Sequence, residues 1–351
     1  MSDGDASDGD REAGDAAESA VAPDDAFAAL GDETRLRTVR ELAAAEGPLG
    51  FTELFERVVD DPAKPSAGFA YHLRKLNGRY VDTDDEGRYR LTFAGRQAAR
   101  ALAAGVYTER VDRDPEGVDG DCPVCGAASL EARIADNHVA VACVACGTEL
   151  LALPFPPSGV RGRDTDAVLD AFDAYHRARL RQLADGVCPD CAGRAAGRIA
   201  FVEPTALPGV PEGESRPVVA GACEECDFLV RVPVSVALAD HPTVVAFLDD
   251  HGVDARDRPL WNLGPEWSEA VLSTDPPAVR VSVALGGEVL ALLVGNGPTV
   301  VDAERTSDGT RERGDNGRNG GGDRDEVAGA AVGGSEDDRD DDQEATASGS
   351  S

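Results

Sequence analysis

Cys122-Pro123-Val124-Cys125-Gly126 and Cys143-Val144-Ala145-Cys146-Gly147, followed by Cys188-Pro189-Asp190-Cys191 and Cys223-Glu224-Glu225-Cys226, hold all eight cysteines of this 351-residue chain. Two residues between thiols form a tight knuckle whose sulfurs can face one tetrahedral ion, and a second knuckle on a neighbouring hairpin completes the ligand set. The knuckles stand 17 residues apart in the first couple and 31 in the second. This spacing predicts two structural Zn²⁺ sites, one on Cys122, Cys125, Cys143 and Cys146, the other on Cys188, Cys191, Cys223 and Cys226. Glycine after each knuckle of the first couple permits the turn that brings backbone amides towards the sulfurs. Four thiolates close the shell, so His138 is not required as a ligand and no position is left open for catalysis.

Disulfides are the weaker reading. The acidic opening, residues 1–25, has neither the basic start nor the apolar run of a secretory signal, so a cytoplasmic location with reduced thiols is expected. A single Cys-x-x-Cys can be a redox pair, but four in two couples favour structural metal.

Outward from the cysteines, residues 130–134 and 138–142 read as short strands of a first ribbon. Residues 164–185 read as a helix with Leu169, Phe172, His176, Leu180 and Leu183 along one side, acids early and arginines late, an order that suits the helix dipole. The second ribbon has a longer arm with a loop at residues 204–216. Each ribbon leads through a proline-marked strand exit into a helix, the second at residues 242–251, which hints at a duplicated unit. Residues 279–304 contain three apolar runs separated by Gly286-Gly287 and Gly295-Asn296-Gly297, a small antiparallel meander on which Trp261 and Trp267 are expected to pack. His241 and His251 are expected at a cap or on the surface. The glycine interruptions also argue against a bilayer helix, so no membrane partner is expected.

The formal charge is −32, with 66 acids against 34 basic residues, of which only Lys64 and Lys75 are lysines. That balance resembles proteins of salt-in halophiles, whose carboxylates hold hydration in concentrated KCl. Residues 1–25 carry −8 and residues 302–351 carry −9, and both segments are poor in aromatics, the composition of disordered tails. Residues 64–100 break the pattern, with eight basic residues and four acids. A chain that avoids basic charge elsewhere concentrates it where a polyanion could be met. Here residues 32–45, 51–58 and 65–77 show helical apolar stripes, with Pro65 as a first-turn residue of the third helix. Phe69, Leu73 and Leu76 face inward on that helix, and Ala67, Tyr71, Arg74 and Lys75 face out. His72 lies on the flank and reads as a packing residue. Residues 80–82 and 88–92 flank Asp84-Asp85-Glu86-Gly87, a turn that makes a two-stranded wing carrying Arg88 and Arg90. Residues 93–103 resume a helical pattern.

The run from Ala29 through Leu30-Gly31-Asp32-Glu33-Thr34-Arg35-Leu36-Arg37, then Tyr71-His72-Leu73-Arg74-Lys75-Leu76, then Leu91-Thr92-Phe93-Ala94-Gly95-Arg96, resembles the winged helix-turn-helix of ArsR-type transcriptional regulators in its haloarchaeal form. The resemblance covers about residues 24–105. It implies that the helix at residues 65–77 enters the major groove of double-stranded DNA, with Ser66, Tyr71, Arg74 and Lys75 as contacts and Arg88 and Arg90 along the phosphates. It also implies a homodimer, with the helices near residues 25–30 and 93–104 at the interface. Metal-sensing members carry cysteines on the helix before the recognition helix; residues 51–60 have none, so that activity is not carried over.

The fold class expected is therefore multidomain α+β. An acidic tail (1–23) precedes a winged helix (24–110), a first zinc ribbon (117–160), a linking helix (161–186), a second ribbon (187–235), a helix with a small antiparallel sheet (236–304) and a second acidic tail (305–351). Phosphate loops, nucleophile elbows and paired-histidine motifs are absent, so no enzyme is expected. The leading function is a DNA-binding transcriptional regulator whose zinc half is structural, dimerising or responsive to an effector or protein partner. Two alternatives stay open: a zinc-ribbon adaptor docking on transcription or translation machinery, and a zinc or thiol redox switch.

Overall fold

The computed structural model describes residues 21–61, 65–202 and 216–307. The expected tails, apart from their innermost residues, lie outside the described residues, as do Lys64 and all of the 204–216 loop but Arg216.

Helices α1 (Pro23–Leu30), α2 (Glu33–Ala44), α3 (Phe51–Val58) and α4 (Ser66–Leu76) are followed by a hairpin of β1 (Val81–Thr83) and β2 (Tyr89–Leu91), then α5 (Phe93–Ala104). Asp32 caps α2 by accepting the Arg35 amide at 3.2 Å, which satisfies one of the free donors at the helix start. Pro65 stands at the cap of α4, one position before the first turn where the sequence placed it. Its fixed φ suits that site too, and its missing N–H costs nothing there.

The apolar stripes converge as expected. Val39, Leu54, Phe69, Leu73 and Leu76 are buried with Val81 and Leu91 in one cluster, beside which Phe51 and Phe55 pack on the Phe69 ring, both at 5.5 Å. At the start of α5, Thr92 caps through Gly95 N at 3.1 Å and its hydroxyl also donates to the Arg79 carbonyl oxygen. A Cβ on Gly95 would collide with the Tyr80 carbonyl oxygen, so only glycine lets α5 lie this close to the hairpin.

The next sheet has four antiparallel strands in sequential order: β3 (Arg113–Val118), β4 (Leu130–Ala135), β5 (His138–Cys143) and β6 (Glu149–Pro154). Strand β3 was not foreseen, because Arg-Asp-Pro-Glu-Gly-Val has no alternation of apolar residues; it is an edge strand, the place where a sheet tolerates proline. A short helix α6 (Pro157–Val160) and the long α7 (Thr165–Ala184) follow. A three-stranded sheet comes next, β7 (Ala195–Val202), β8 (Arg216–Cys223) and β9 (Leu229–Pro233), then the short α8 (Val234–Leu238) and α9 (Pro242–Asp250). The order knuckle, two strands, knuckle, strand ending in proline, short helix, longer helix thus occurs twice.

The last sheet corrects the expected three-run meander. It has four antiparallel strands, β10 (Trp267–Thr274), β11 (Pro277–Leu285), β12 (Glu288–Val294) and β13 (Val300–Ser307). Trp267 opens β10 and does not pack on the sheet from outside. The strand was hidden because its residues are mostly exposed and carry Ser268, Glu269 and Ser273 among the apolar ones. Trp261 belongs to the same buried cluster as this sheet and lies 6.2 Å from the ring of Phe172 on α7.

One continuous cluster of buried residues runs from Ala132 to Val294 across all three of these sheets. Phe172 is fully buried within it, and that burial contributes about 2–3 kcal/mol. Arg177 of α7 is also buried: its guanidinium binds Asp173 at 2.6 Å, Asp240 at 2.7 Å and the Arg258 carbonyl oxygen. The helix-dipole reading of the α7 arginines therefore misses what this one does, which is to tie α7 to two later segments. His241 caps α9 by accepting the Thr243 amide at 3.3 Å. His251 is the C-cap residue of the same helix, largely enclosed and bonded through Nδ1 to the Phe247 carbonyl oxygen at 2.8 Å, so both histidines stand at caps. Among the described residues no helix is long and apolar enough to cross a membrane.

Candidate metal centres and basic helix face

Each cysteine couple closes into a quartet whose four sulfurs lie within 4.8 Å of one another. In the first, Cys122 and Cys146 are 3.9 Å apart and Cys125 and Cys143 are 3.7 Å apart; in the second, Cys188–Cys226 and Cys191–Cys223 are both 3.6 Å. A tetrahedral ion with metal–sulfur bonds of about 2.3 Å sets its sulfurs about 3.8 Å apart, so both quartets fit a metal ion such as zinc. The pairing is the one the spacing indicated.

The loops explain how the sequence builds these sites. In every knuckle the amide of the first cysteine bonds the carbonyl oxygen five residues on: Ala127, Thr148, Gly193 and Phe228, at 2.9–3.0 Å. The first cysteine of each pair is buried and the second exposed. Amides of Val124, Asp190, Gly193 and Glu225 point at cysteine sulfurs from 3.3–3.4 Å, the arrangement that stabilises a thiolate. Thr148 adds to this: its hydroxyl lies 3.3 Å from Cys146 Sγ, and its side-chain and backbone hydrogen bonds hold that thiol down to about 6. His138 stands apart, exposed, with Nδ1 2.9 Å from the Asp136 carbonyl oxygen.

On α4, Ser66, Tyr71, Arg74 and Lys75 are all exposed. At about 100° per residue they occupy one half of the helix circumference. Lys75 Nζ lies 5.7 Å from the Tyr71 ring centroid, and no carboxylate interrupts residues 65–81. His72 sits on the flank with Nδ1 3.3 Å from Asp32 Oδ1, close but not aligned as a hydrogen bond, against the cap of α2. The hairpin arginines differ. Arg88 falls in the turn, not on a strand, and its guanidinium binds Asp84 and Glu86, each at 2.9 Å; the Asp84 hydrogen bond pushes its pKa up. Arg90 faces its cross-strand partner Asp82 at 3.1 Å. Asp84 also accepts the Glu86 and Arg88 amides, so it shapes the turn while engaging Arg88. The structure thus brings the four α4 residues together and leaves the two hairpin arginines ion-paired.

Residues 119–300 match a family described as a domain of unknown function, DUF7351. The chain belongs to that family. Residues 23–102 match a second domain of unknown function, DUF7347. No curated protein and no solved structure matches the chain. The DUF7351 match spans both cysteine quartets and reaches the last sheet, so it follows the long buried cluster; the DUF7347 match follows the helices and hairpin around α4.

Within the DUF7351 part lies a feature that no motif announced, a cleft of about 1400 Å³ between β6, the β8–β9 face and β10. Its walls include Trp261, Trp267, Arg216, Arg231 and Glu269. They come from β8, β9, β10 and the segment before β10, so only the fold assembles them.

Proposed function

We propose that this chain is a DNA-binding transcriptional regulator. Its N-terminal part acts as a winged helix-turn-helix of ArsR type reading double-stranded DNA, and two Zn²⁺ ions hold the C-terminal half. The observation that carries the reading is the exposed, acid-free face of α4 in a chain of charge −32. Arg74 and Lys75 are the main contacts, with Tyr71 and Ser66 beside them. Arg88 and Arg90 are secondary, because each would have to leave a carboxylate to meet a phosphate. In concentrated KCl counterion release adds little, so base-edge contacts and a two-fold dimer must supply most of the affinity. Exposed Phe27 on α1 and Phe93 on α5, about 70% accessible each, supply apolar surface for a homodimer.

The test is a gel-shift or footprinting assay on chromosomal fragments in molar KCl. Arg74→Ala with Lys75→Ala is expected to weaken binding at least about tenfold, and Arg88→Ala with Arg90→Ala by less. Occupancy unchanged in the α4 variant would sink the proposal.

One observation favours the adaptor reading: Val124 and Val144 stand exposed at the tips of the first quartet. If Val124→Ser with Val144→Ser abolishes a protein association while DNA occupancy is nil in the native chain, docking replaces DNA reading.

A further inference from the structure

The cleft in the DUF7351 part has a defined chemistry. Its floor is one face of the β7–β9 sheet. In the register of that sheet Ala220 stands opposite Arg231 and Val218 opposite Pro233, so Arg216, Val218 and Ala220 share a face with Arg231 and Pro233. The two arginines stand about 14 Å apart at their backbones, with the Val218–Pro233 pair between them. Their side chains are long enough to close on a molecule lying on that pair. Neither guanidinium is in an ion pair among the described residues; Arg216 reaches Glu269 only through its field.

The facing wall is β10. Trp267 and Glu269 are alternate residues on that strand and so lie on one side of it. Glu269 is fixed in place, its Oε1 accepting the Ser235 amide at 2.6 Å. Trp267 lines the cleft half-buried, with its indole N–H buried and without an acceptor among the described residues. Trp261 adds a second aromatic side chain to the lining. Apolar walls with a few convergent polar groups are the pattern of a small-molecule site. Two unspent guanidiniums select an anionic group, and the aromatic lining selects an apolar body. The carboxylate of Glu269 on the opposite wall disfavours a second anionic group.

We propose that this cleft binds a small organic anion, an apolar body bearing one carboxylate or similar group, held by Arg216 and Arg231 against the Trp261–Trp267 wall. The site goes beyond the DNA reading and stands without it, since nothing in its test involves DNA.

Trp261 and Trp267 are the only two tryptophans of the chain and both line the cleft, so their emission reports its occupancy. The probe is 1-anilinonaphthalene-8-sulfonate, an aromatic body with one anionic group, added to the metal-loaded full-length chain. Its uncharged counterpart is N-phenyl-1-naphthylamine. Energy transfer from tryptophan falls steeply with distance, so it weights probe bound at the cleft, and the arginine variant identifies the part of the signal that belongs to it. Saturable binding of about one probe per chain is expected, with the uncharged counterpart at least about tenfold weaker. Arg216→Ala with Arg231→Ala should weaken the anionic probe by a similar factor and leave the uncharged one unaffected. Glu269→Gln should not weaken the anionic probe; a general loss of structure would lower binding in both variants and so cannot imitate the result. Near-equal binding of both probes, or an anionic probe indifferent to loss of both arginines, would overturn the proposal. So would failure to saturate in a chain whose far-ultraviolet dichroism and tryptophan emission are native.

Discussion

At the scale of single residues, His176 shows what burial does to a titratable group. Its Nε2 sits 3.1 Å from the Pro154 carbonyl oxygen and its ring packs on Phe172 at 4.6 Å. Burial first, and the positive charge of Arg179 second, lower its pKa from 6.5 to about 4. The folded chain therefore keeps His176 neutral while the unfolded chain takes up a proton near its ordinary pKa. Stability from this residue is present above about pH 6.5 and is lost as pH falls towards 4, with a loss of about 2 kcal/mol by pH 5. Urea unfolding should show that loss in the native chain. His176→Gln, which keeps a donor for Pro154 but does not titrate, should lack it. Equal slopes in the two proteins would refute the assignment, and the difference between them is the informative quantity because metal release at low pH is common to both. The apolar stripe of α7 made the burial of His176 legible in the sequence. Arg177 beside it was not legible, since its partner Asp240 lies 63 residues away and periodicity relates only near neighbours. The same holds for Arg216, Arg231 and Glu269, whose juxtaposition exists only once two sheets are packed.

Elements were legible where they carry apolar periodicity or a fixed turn chemistry. The stripes of α2, α3, α4 and α7 and the knuckles meet both conditions; β3 and β10, polar edge strands, meet neither, and their partners rather than their own residues define them. The knuckles also differ from one another in a way that can be measured. Gly126 and Gly147 follow the first couple with φ of 72° each, whereas Ala192 and Asp227 hold the left-handed conformation after the second couple at 61° and 55°. Side chains with a Cβ are strained there by roughly 1 kcal/mol per residue. A Cβ on Gly126 or Gly147 would meet no neighbour within 4 Å, so a substitution there reads backbone strain alone. Ala192→Gly is expected to slow metal release from the second quartet to a chelator about two- to fivefold. Gly126→Ala is expected to speed release from the first by a similar factor. Release rates that do not move, or that move the same way in both variants, would show that these loops are not limited by their backbone conformation.

At the scale of the whole molecule, the two larger clusters of buried residues are expected to depend differently on metal. The N-terminal cluster contains no cysteine, while Cys188 and Cys223 are members of the long cluster and Cys122 and Cys143 adjoin it with Leu130. Four thiolates brought within 4.8 Å repel one another unless a cation joins them, so a metal ion bound in the quartets would couple to folding of the long cluster and not to the helices around α4. Arg161 links the two parts through the Ala103 carbonyl oxygen at 3.1 Å and Glu109 at 2.7 Å, contacts on exposed side chains that are too weak to carry one part when the other unfolds. Titration of the thiols with a mercurial should release about two metal ions per chain. Tryptophan emission should then shift to the red, because both tryptophans lie in the metal-dependent part. Amide exchange in α2 and α4 should stay protected through the same titration. Protection lost in those helices together with the metal would mean that the chain folds as a single cooperative unit. One ion per chain would mean that only one quartet holds metal.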